Sequence, residues 1–148
     1  EAVAAVEAAC FPAAEAATAE EFAGRLQQYG DHFWLLWEGE RLLAFVDGFC
    51  TDWPDLTDEM YADASLHREN GAWQMIFGVN TIPACRRQGY AGQLLQAIAD
   101  ARAQGRKGLV LTCKEALVHY YAKFGFVNEG VSGSTHGGVV WYQMRLKF

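Results

Sequence analysis

The chain reads as an α/β protein, a mixed sheet with helices on its faces. Three observations carry this expectation. Apolar or alternating runs bounded by turn residues recur at 33–37, 41–50, 73–82, 109–113, 126–131 and 139–147. Segments with helical apolar spacing lie at 2–9, 19–29, 89–104 and 115–124. The two kinds interleave in the order ααββ(α)βαβαββ, the pattern of helices layered on a sheet.

The first segment is Ala-rich, with Val3, Val6 and Ala9 at helical spacing, and Cys10-Phe11-Pro12 breaks it. Thr18 followed by Glu21 has the form of a capping box for a helix over 19–29, which Gly30 ends. Phe33-Trp-Leu-Leu-Trp37, a Glu-Gly-Glu turn and the run 41–50 read as a β-hairpin. Residues 51–72 are polar and acidic, with a short helix near 57–66. The run 73–82 reads as a strand closed by Pro83. From Gly89 a helix runs to about 104, with Leu94, Leu95, Ile98 and Ala101 on one face and Gly105 just past its end. Leu109–Cys113 is a short buried strand, and Gly125 stops the helix 115–124. A final hairpin spans 126–131 and 139–147, with Val140, Tyr142, Met144 and Leu146 alternating against Trp141, Gln143, Arg145 and Lys147.

The 148 residues suit a single domain, 1–148, and no apolar run approaches the ~20 residues of a membrane-spanning helix. The start lacks both an initiator Met and the basic stretch of a secretory signal, so a cytoplasmic, trimmed chain is expected. Cys10, Cys50, Cys85 and Cys113 form no C-x-x-C pair, and no His pair has zinc-ligand spacing; four thiols and no metal are expected. A net charge of −6 argues against nucleic acid. The charge is uneven, however. Residues 85–123 hold seven basic and two acidic residues, a balance of +5 against −11 for the remainder. A basic segment in an acidic chain suits a local polyanion site.

That segment opens with Arg86-Arg87-Gln88-Gly89-Tyr90-Ala91-Gly92, between a strand and a helix. A helix start offers unpaired N–H groups and the positive end of a dipole. Gly89 permits close backbone approach, Ala91 and Gly92 keep the first turn open, and the arginines add charged donors. There is no Gly-Lys-Ser/Thr and no G-x-G-x-x-G, which excludes a Walker loop and a dinucleotide fingerprint.

Arg86-x-x-Gly89-x-Ala91 resembles the R/Q-x-x-G-x-G/A turn of the GNAT N-acetyltransferases. Tyr120-Tyr121-Ala-Lys123-Phe-Gly125-Phe126 is similar to that family's aromatic segment. Cys113-Lys-Glu-Ala-Leu-Val, Cys10-Phe11-Pro12 with Glu15, Leu43-Ala-Phe-Val46-x-Gly48 and Leu66-His67-Arg68 resemble the arylalkylamine (serotonin-type) branch. The resemblance implies a mostly antiparallel sheet splayed at its central strands, with acetyl-CoA as co-substrate. It implies that Arg86, Arg87, Gln88, Gly89, Tyr90, Ala91, Gly92 and Lys123 hold the coenzyme. Val79, Asn80 and Thr81 would pair with its pantetheine arm, a backbone N–H near Val79 would meet the oxyanion, and the Phe11-Pro12 loop would line the acceptor site. The expected partner is a small-molecule amine, with no nucleic acid and no membrane, and the protein a monomer or homodimer.

Acetyl transfer from a thioester requires a deprotonated amine, a stabilised oxyanion and a protonated leaving thiolate. An amine of pKa ~10.4 is almost wholly charged at neutral pH, whereas a phenol of pKa ~10 can protonate a thiolate of pKa ~8.5. By resemblance, Tyr121 is the expected general acid, with Tyr120 as its control. The sequence also departs from the branch. The branch carries a His-x-His proton relay at positions that are Met75 and Phe77 here, so the relay is absent. Candidate bases are His67 and Glu115, beside desolvation of the amine or a water chain. The acidic stretch with Asp52, Asp55, Asp58, Glu59 and Asp63 reads either as a solvated insert or as a surface attracting a cationic amine.

Overall fold

The computed structural model describes residues 2–11, 15–82, 92–134 and 136–148. The elements in chain order are α1 (Ala2–Cys10), α2 (Ala19–Tyr29), β1 (Phe33–Glu38), β2 (Arg41–Asp47), β3 (Cys50–Thr51), α3 (Asp58–Ala62), β4 (Trp73–Ile76), β5 (Gly78–Thr81), α4 (Gly92–Ala103), β6 (Gly108–Cys113), α5 (Glu115–Ala122), β7 (Val127–Val131) and β8 (Tyr142–Lys147). The expected fold class holds: a mixed, mostly antiparallel sheet system flanked by helices.

The expected single strand over 73–82 is two strands separated by Phe77, and each half belongs to a different sheet. β4 runs parallel to β6, Trp73 facing Gly108 and Ile76 facing Leu111. β5 runs antiparallel to β2, Gly78 facing Asp47 and Thr81 facing Ala44. The orders are β1-β2-β5 and β3-β4-β6-β8-β7. The chain thus leaves β6 after Ile76 and joins β2, opening a wedge between β5 and β6. Backbone bonds hold the crossover, with Phe77 N–H donating to Asp47 O (2.7 Å) and Met75 N–H to Phe49 O (2.7 Å). Gly48 crosses directly over this point, where an added Cβ would sit inside the Met75 carbonyl oxygen.

Helices cover both faces. Leu94, Ala97 and Ala101 of α4 pack with Ile76, Leu109, Leu111, Tyr121, Phe126 and Met144. The exposed position of Leu95 differs from the expected stripe; the buried stripe is centred on Leu94 and Ala101, and Leu95 is turned ~100° away. On the opposite face Phe49, Met75 and Val110 pack with Tyr29, Leu56 and Met60, and Val3, Val6 and Phe22 pack on Leu42 and Phe45. The successive residues Leu109, Val110 and Leu111 alternate between the two faces, as the strand period requires.

The α2 capping box forms, Glu21 N–H donating to Thr18 Oγ1 (3.2 Å) and Thr18 N–H to Glu21 Oε1 (3.1 Å). Positive φ at Gly105 (75°) and Gly125 (99°) matches their helix-stop roles. Arg145, on the outward set of β8, is buried. Its guanidinium lies 4.6 Å from the Trp73 ring centre and pairs with Asp55 (3.0 Å) and Glu129 (2.9 Å). In α1 the buried stripe is Val3, Val6 and Glu7, with Ala9 exposed. No described helix is long and apolar enough to cross a membrane.

Replacing Gly48 by Ala forces the crossover apart. The expected outcome is a loss of about 3 kcal/mol or more in thermal or urea unfolding, the range of a severe overpacking change.

Candidate active site

The wedge between β5 and β6 is a cavity. Ile76, Gly78, Val79 and Leu111–Cys113 form its strand walls, and Leu117 and Tyr121 of α5, with Glu7, Phe11 and Glu15–Ala17, complete the lining. Tyr61, Phe77, Ser134 and Trp141 add further wall. An aromatic, partly acidic lining results, with Arg25 and Lys114 as its two cations among the described residues.

Within β5, Ile82 N–H donates to Leu43 O (2.8 Å) just past the strand end. By the alternation of an antiparallel ladder, the main chain of Asn80 then faces β2, and that of Val79 and Thr81 faces the wedge. The Thr81 carbonyl accepts from the Cys10 thiol (3.2 Å).

The structure gathers three expected site residues, Tyr121, Val79 and Phe11, around this one cavity. Tyr121 is buried with its ring 6.2 Å from Phe126 and 5.1 Å from Tyr120, and its hydroxyl makes no hydrogen bond to another described residue. Burial holds its phenol well above the ordinary range, so it stays protonated at physiological pH. Tyr120, more exposed, does not line the cavity. Asn80 turns its amide away to Glu7. Lys123, at the end of α5, is exposed and does not line the cavity. Gly92 is the first residue of α4. Arg86, Arg87, Gln88, Gly89, Tyr90, Ala91 and Pro12 lie outside the described residues, as does Cys85.

The candidate bases are placed elsewhere. His67 Nδ1 accepts from Cys50 N–H (3.0 Å) and its Nε2 faces Glu69 (3.2 Å), outside the cavity. Glu115 is exposed and also outside it. Met75 is fully buried, and Phe77 forms part of the wall. The acidic stretch is engaged structurally. Asp52 accepts from Ala72 N–H (3.0 Å), Asp55 from Gln143 (2.9 Å) and Arg145, and Asp58 from the Ser134 hydroxyl. Its carboxylates anchor the loop to β8 and its neighbours.

His32, His67 and Glu69 could bring three metal-ligand atoms within 4.8 Å of one another. Because His67 Nδ1 takes a backbone N–H, the neutral ring carries its proton on Nε2 and offers Glu69 a donor, not a cation a lone pair. Arg106 adds a positive charge 3.3 Å from the same carboxylate. The trio is a hydrogen-bonded clasp.

The sequence reading missed a buried charge cluster under the cavity. Arg25 pairs with Asp47 at 3.0 Å, both nearly inaccessible. Glu7 accepts from Ala17 N–H (2.8 Å) and Asn80 Nδ2 (3.2 Å). Gly78 makes room for this cluster, since a Cβ there would lie 2.7 Å from Asn80 Nδ2, 3.0 Å from Asp47 Oδ1 and 3.4 Å from Glu7 Oε1. Burial raises the Glu7 carboxyl from 4.5 to about 7, Asp47 adding to the rise and Arg25 opposing it. Asp47, also raised by burial, reaches about 6 and is kept ionised at neutrality by Arg25. The available signal was periodicity: Glu7 stands at i+4 from Val3, on the apolar stripe of α1.

A group titrating higher in the folded state stabilises fully below its ordinary pKa, and that contribution is lost as pH rises through the folded value. For Glu7 the loss falls between 4.5 and about 7. Wild type should therefore lose stability from about pH 4.5 to about pH 7, and Glu7→Gln should recover on the order of 3 kcal/mol of that loss in denaturant titrations. The part due to Asp47 should persist in the variant.

An acetyltransferase (GNAT) domain model matches residues 29–128. No curated protein matches the chain by sequence. Among solved structures, the GNAT-like decarboxylase GphF in complex with isobutyryl-CoA is similar at TM-score 0.82 and 19% identity, covering 99% of this chain and 93% of that one. The loading GNATL domain of CurA from Lyngbya majuscula follows at TM-score 0.80 and 16% identity, with 99% and 91% covered. The ribosomal-protein-S18-alanine N-acetyltransferase of Escherichia coli is similar at TM-score 0.68 and 17% identity, with 99% and 85% covered. At these identities the structures speak for the fold. The family model covers most of the chain, and with the divided central strand beneath it, the chain belongs to the GNAT acetyltransferase domain family.

Proposed function

We propose that the chain transfers an acetyl group from acetyl-CoA directly to a primary amine of the arylalkyl or polyamine class, with Tyr121 protonating the leaving thiolate. The carrying observation is that Tyr121, its hydroxyl without a partner among the described residues, lines the same cavity as the unpaired edge at Val79. In this reading the turn from Arg86 to Gly92, with Lys123, holds the coenzyme's phosphates. The Val79 N–H receives the oxyanion, a donor placed where charge develops. A phenol kept protonated by burial gives its proton to the thiolate as the C–S bond breaks.

The acceptor class follows from the cavity wall. Phe11, Phe77, Trp141 and Tyr61 supply apolar faces for an aryl tail, and Glu7, Glu15 and Glu21 supply negative charge for an ammonium head. The free thiols Cys10, Cys50 and Cys113 suit a reducing, cytoplasmic setting.

The test is thiol release from acetyl-CoA against arylalkylamines, polyamines and peptides, beside calorimetric binding of acetyl-CoA. Turnover is expected with free amines. Tyr121→Phe should lower kcat about 100-fold while leaving acetyl-CoA affinity within about threefold. Full activity of that variant across pH removes Tyr121 as the acid. Preference for peptides moves the acceptor to a polypeptide. Tight binding with no turnover makes the chain an acyl-CoA-binding module. A carboxylated acyl-CoA belongs in the same screen, since one similar structure is a decarboxylase.

A further inference from the structure

We propose that Glu7 is the proton acceptor of this site, taking the ammonium proton of the acceptor amine before attack; the inference rests on the amine transfer proposed above. The motifs bearing the family resemblance do not include this residue, and the histidine pair that would relay the proton is replaced by Met75 and Phe77.

Position is the first argument. Glu7 lines the same cavity as Tyr121, carried by α1, which packs on β2 and β5, whereas the α5 helix of Tyr121 packs on β7 and β8. Its carboxylate is fixed through both oxygens, by Ala17 N–H at 2.8 Å and Asn80 Nδ2 at 3.2 Å. Each oxygen keeps a second lone pair.

Elimination is the second argument. The other acids on the cavity wall are committed. Glu15 pairs with Lys114 at 2.7 Å, and Glu21 closes the α2 capping box. Asp47 is locked to Arg25 and does not line the cavity. The Tyr61 phenol shares a hydrogen bond with Thr112 and is pushed up to about 12 by burial, too high for a base at neutrality. No histidine lines the cavity among the described residues.

The third argument is the crowding of charge around Gly78. Two carboxylates, Glu7 and Asp47, share one guanidinium, Arg25. Asp47 Oδ1 and Asn80 Oδ1 are buried acceptors with no donor among the described residues. Arg25 Nε is likewise a buried donor with no acceptor among the described residues, so the cluster is incompletely matched on both sides, and a proton arriving on Glu7 relieves the repulsion between the carboxylates. Beside burial, the groups that act on its affinity are the Ala17 and Asn80 donors and the charges of Asp47 and Arg25; the other titratable groups on the cavity wall are Glu15, Glu21, Lys114, Tyr61 and Tyr121. Burial places that affinity near neutrality, at about 7, where a base both accepts and releases a proton.

The protons balance. R–NH3⁺ gives one to the Glu7 carboxylate, and the neutral nitrogen attacks the thioester carbonyl. The C–N bond forms and the C–S bond breaks. The thiolate takes the phenolic proton of Tyr121, which is replaced by the second proton shed from nitrogen. Glu7 then releases its proton to solvent, leaving the amide, the free thiol and one H⁺.

The experiment compares two acceptors that differ in their need for a base. A primary alkylamine is charged at neutral pH, whereas methoxyamine is already neutral. In Glu7→Gln, kcat/KM for the alkylamine should fall about 100-fold and that for methoxyamine less than about tenfold. The wild-type inflection near pH 7 should vanish from the alkylamine profile. Equal losses on both acceptors, or an unchanged pH profile, overturn the assignment while leaving amine transfer standing. Absence of thiol release by wild type with every amine overturns both readings. Should Glu7→Gln fail to fold, carbon-13 NMR of the wild-type Glu7 carboxyl decides. A midpoint near 7 that shifts on acetyl-CoA binding supports the role, and a midpoint in the ordinary range near 4.5 overturns it.

Discussion

A strand interior must spend its main-chain hydrogen bonds on neighbours, and between Trp73 and Thr81 this chain divides them between two sheets. Before Phe77 the partner is β6; after it the partner is β2. The division leaves one edge of β5 without a strand beside it among the described residues. Unpaired backbone groups in such a place are costly unless water or a ligand completes them. Gly48 passes over the crossover with no side chain, and α1, α2, α4 and α5 cover the two sheets from either side. The cavity is therefore a consequence of strand pairing, and the residues lining it inherit their positions from that pairing.

Beneath the wedge lies a second constraint, the burial of charge. Arg25 and Asp47 are almost inaccessible and pair directly, which offsets part of their desolvation. Glu7 adds a second carboxylate to the same region and can be neutral or ionised with little bias near pH 7. A group in that state weakens the folded protein on the alkaline side, yet suits proton exchange. Titratable groups with displaced affinities gather at functional sites for this reason. Nearby, the equally buried His32 engages Gln74 and Glu69, and His67 engages the backbone of Cys50, so that region reads as structural.

The similar solved structures include a decarboxylase in complex with isobutyryl-CoA and a ribosomal-protein N-acetyltransferase, both below 20% identity to this chain. Fold alone therefore does not fix the chemistry, and the reading of this chain depends on the side chains within its own wedge. Here those are a phenol, a set of aromatic faces and a hydrogen-bonded carboxylate on an N-terminal helix. Nothing in the comparisons favours the arylalkylamine branch over others; the case for an aromatic amine rests on the cavity lining alone.

Much was legible in the residues themselves. Periodicity and punctuation placed the helices and strands, Thr18 and Glu21 announced a capping box, and Gly105 and Gly125 marked helix ends. These are local effects, decided by neighbours within a few positions. Tyr121, singled out by resemblance, sits on one helix as its buried residue and lines the cavity. Tertiary structure decided the rest. The break at Phe77 depends on β2 and β6 competing for one strand, a long-range contest that no window of sequence contains. The fate of the acidic loop was set by Arg145 and Gln143, nearly ninety positions away. Glu7 looked like one acid in an Ala-rich helix. Its environment comes from Arg25, Asp47 and Asn80, on three other elements, and its displaced titration follows from burial among them.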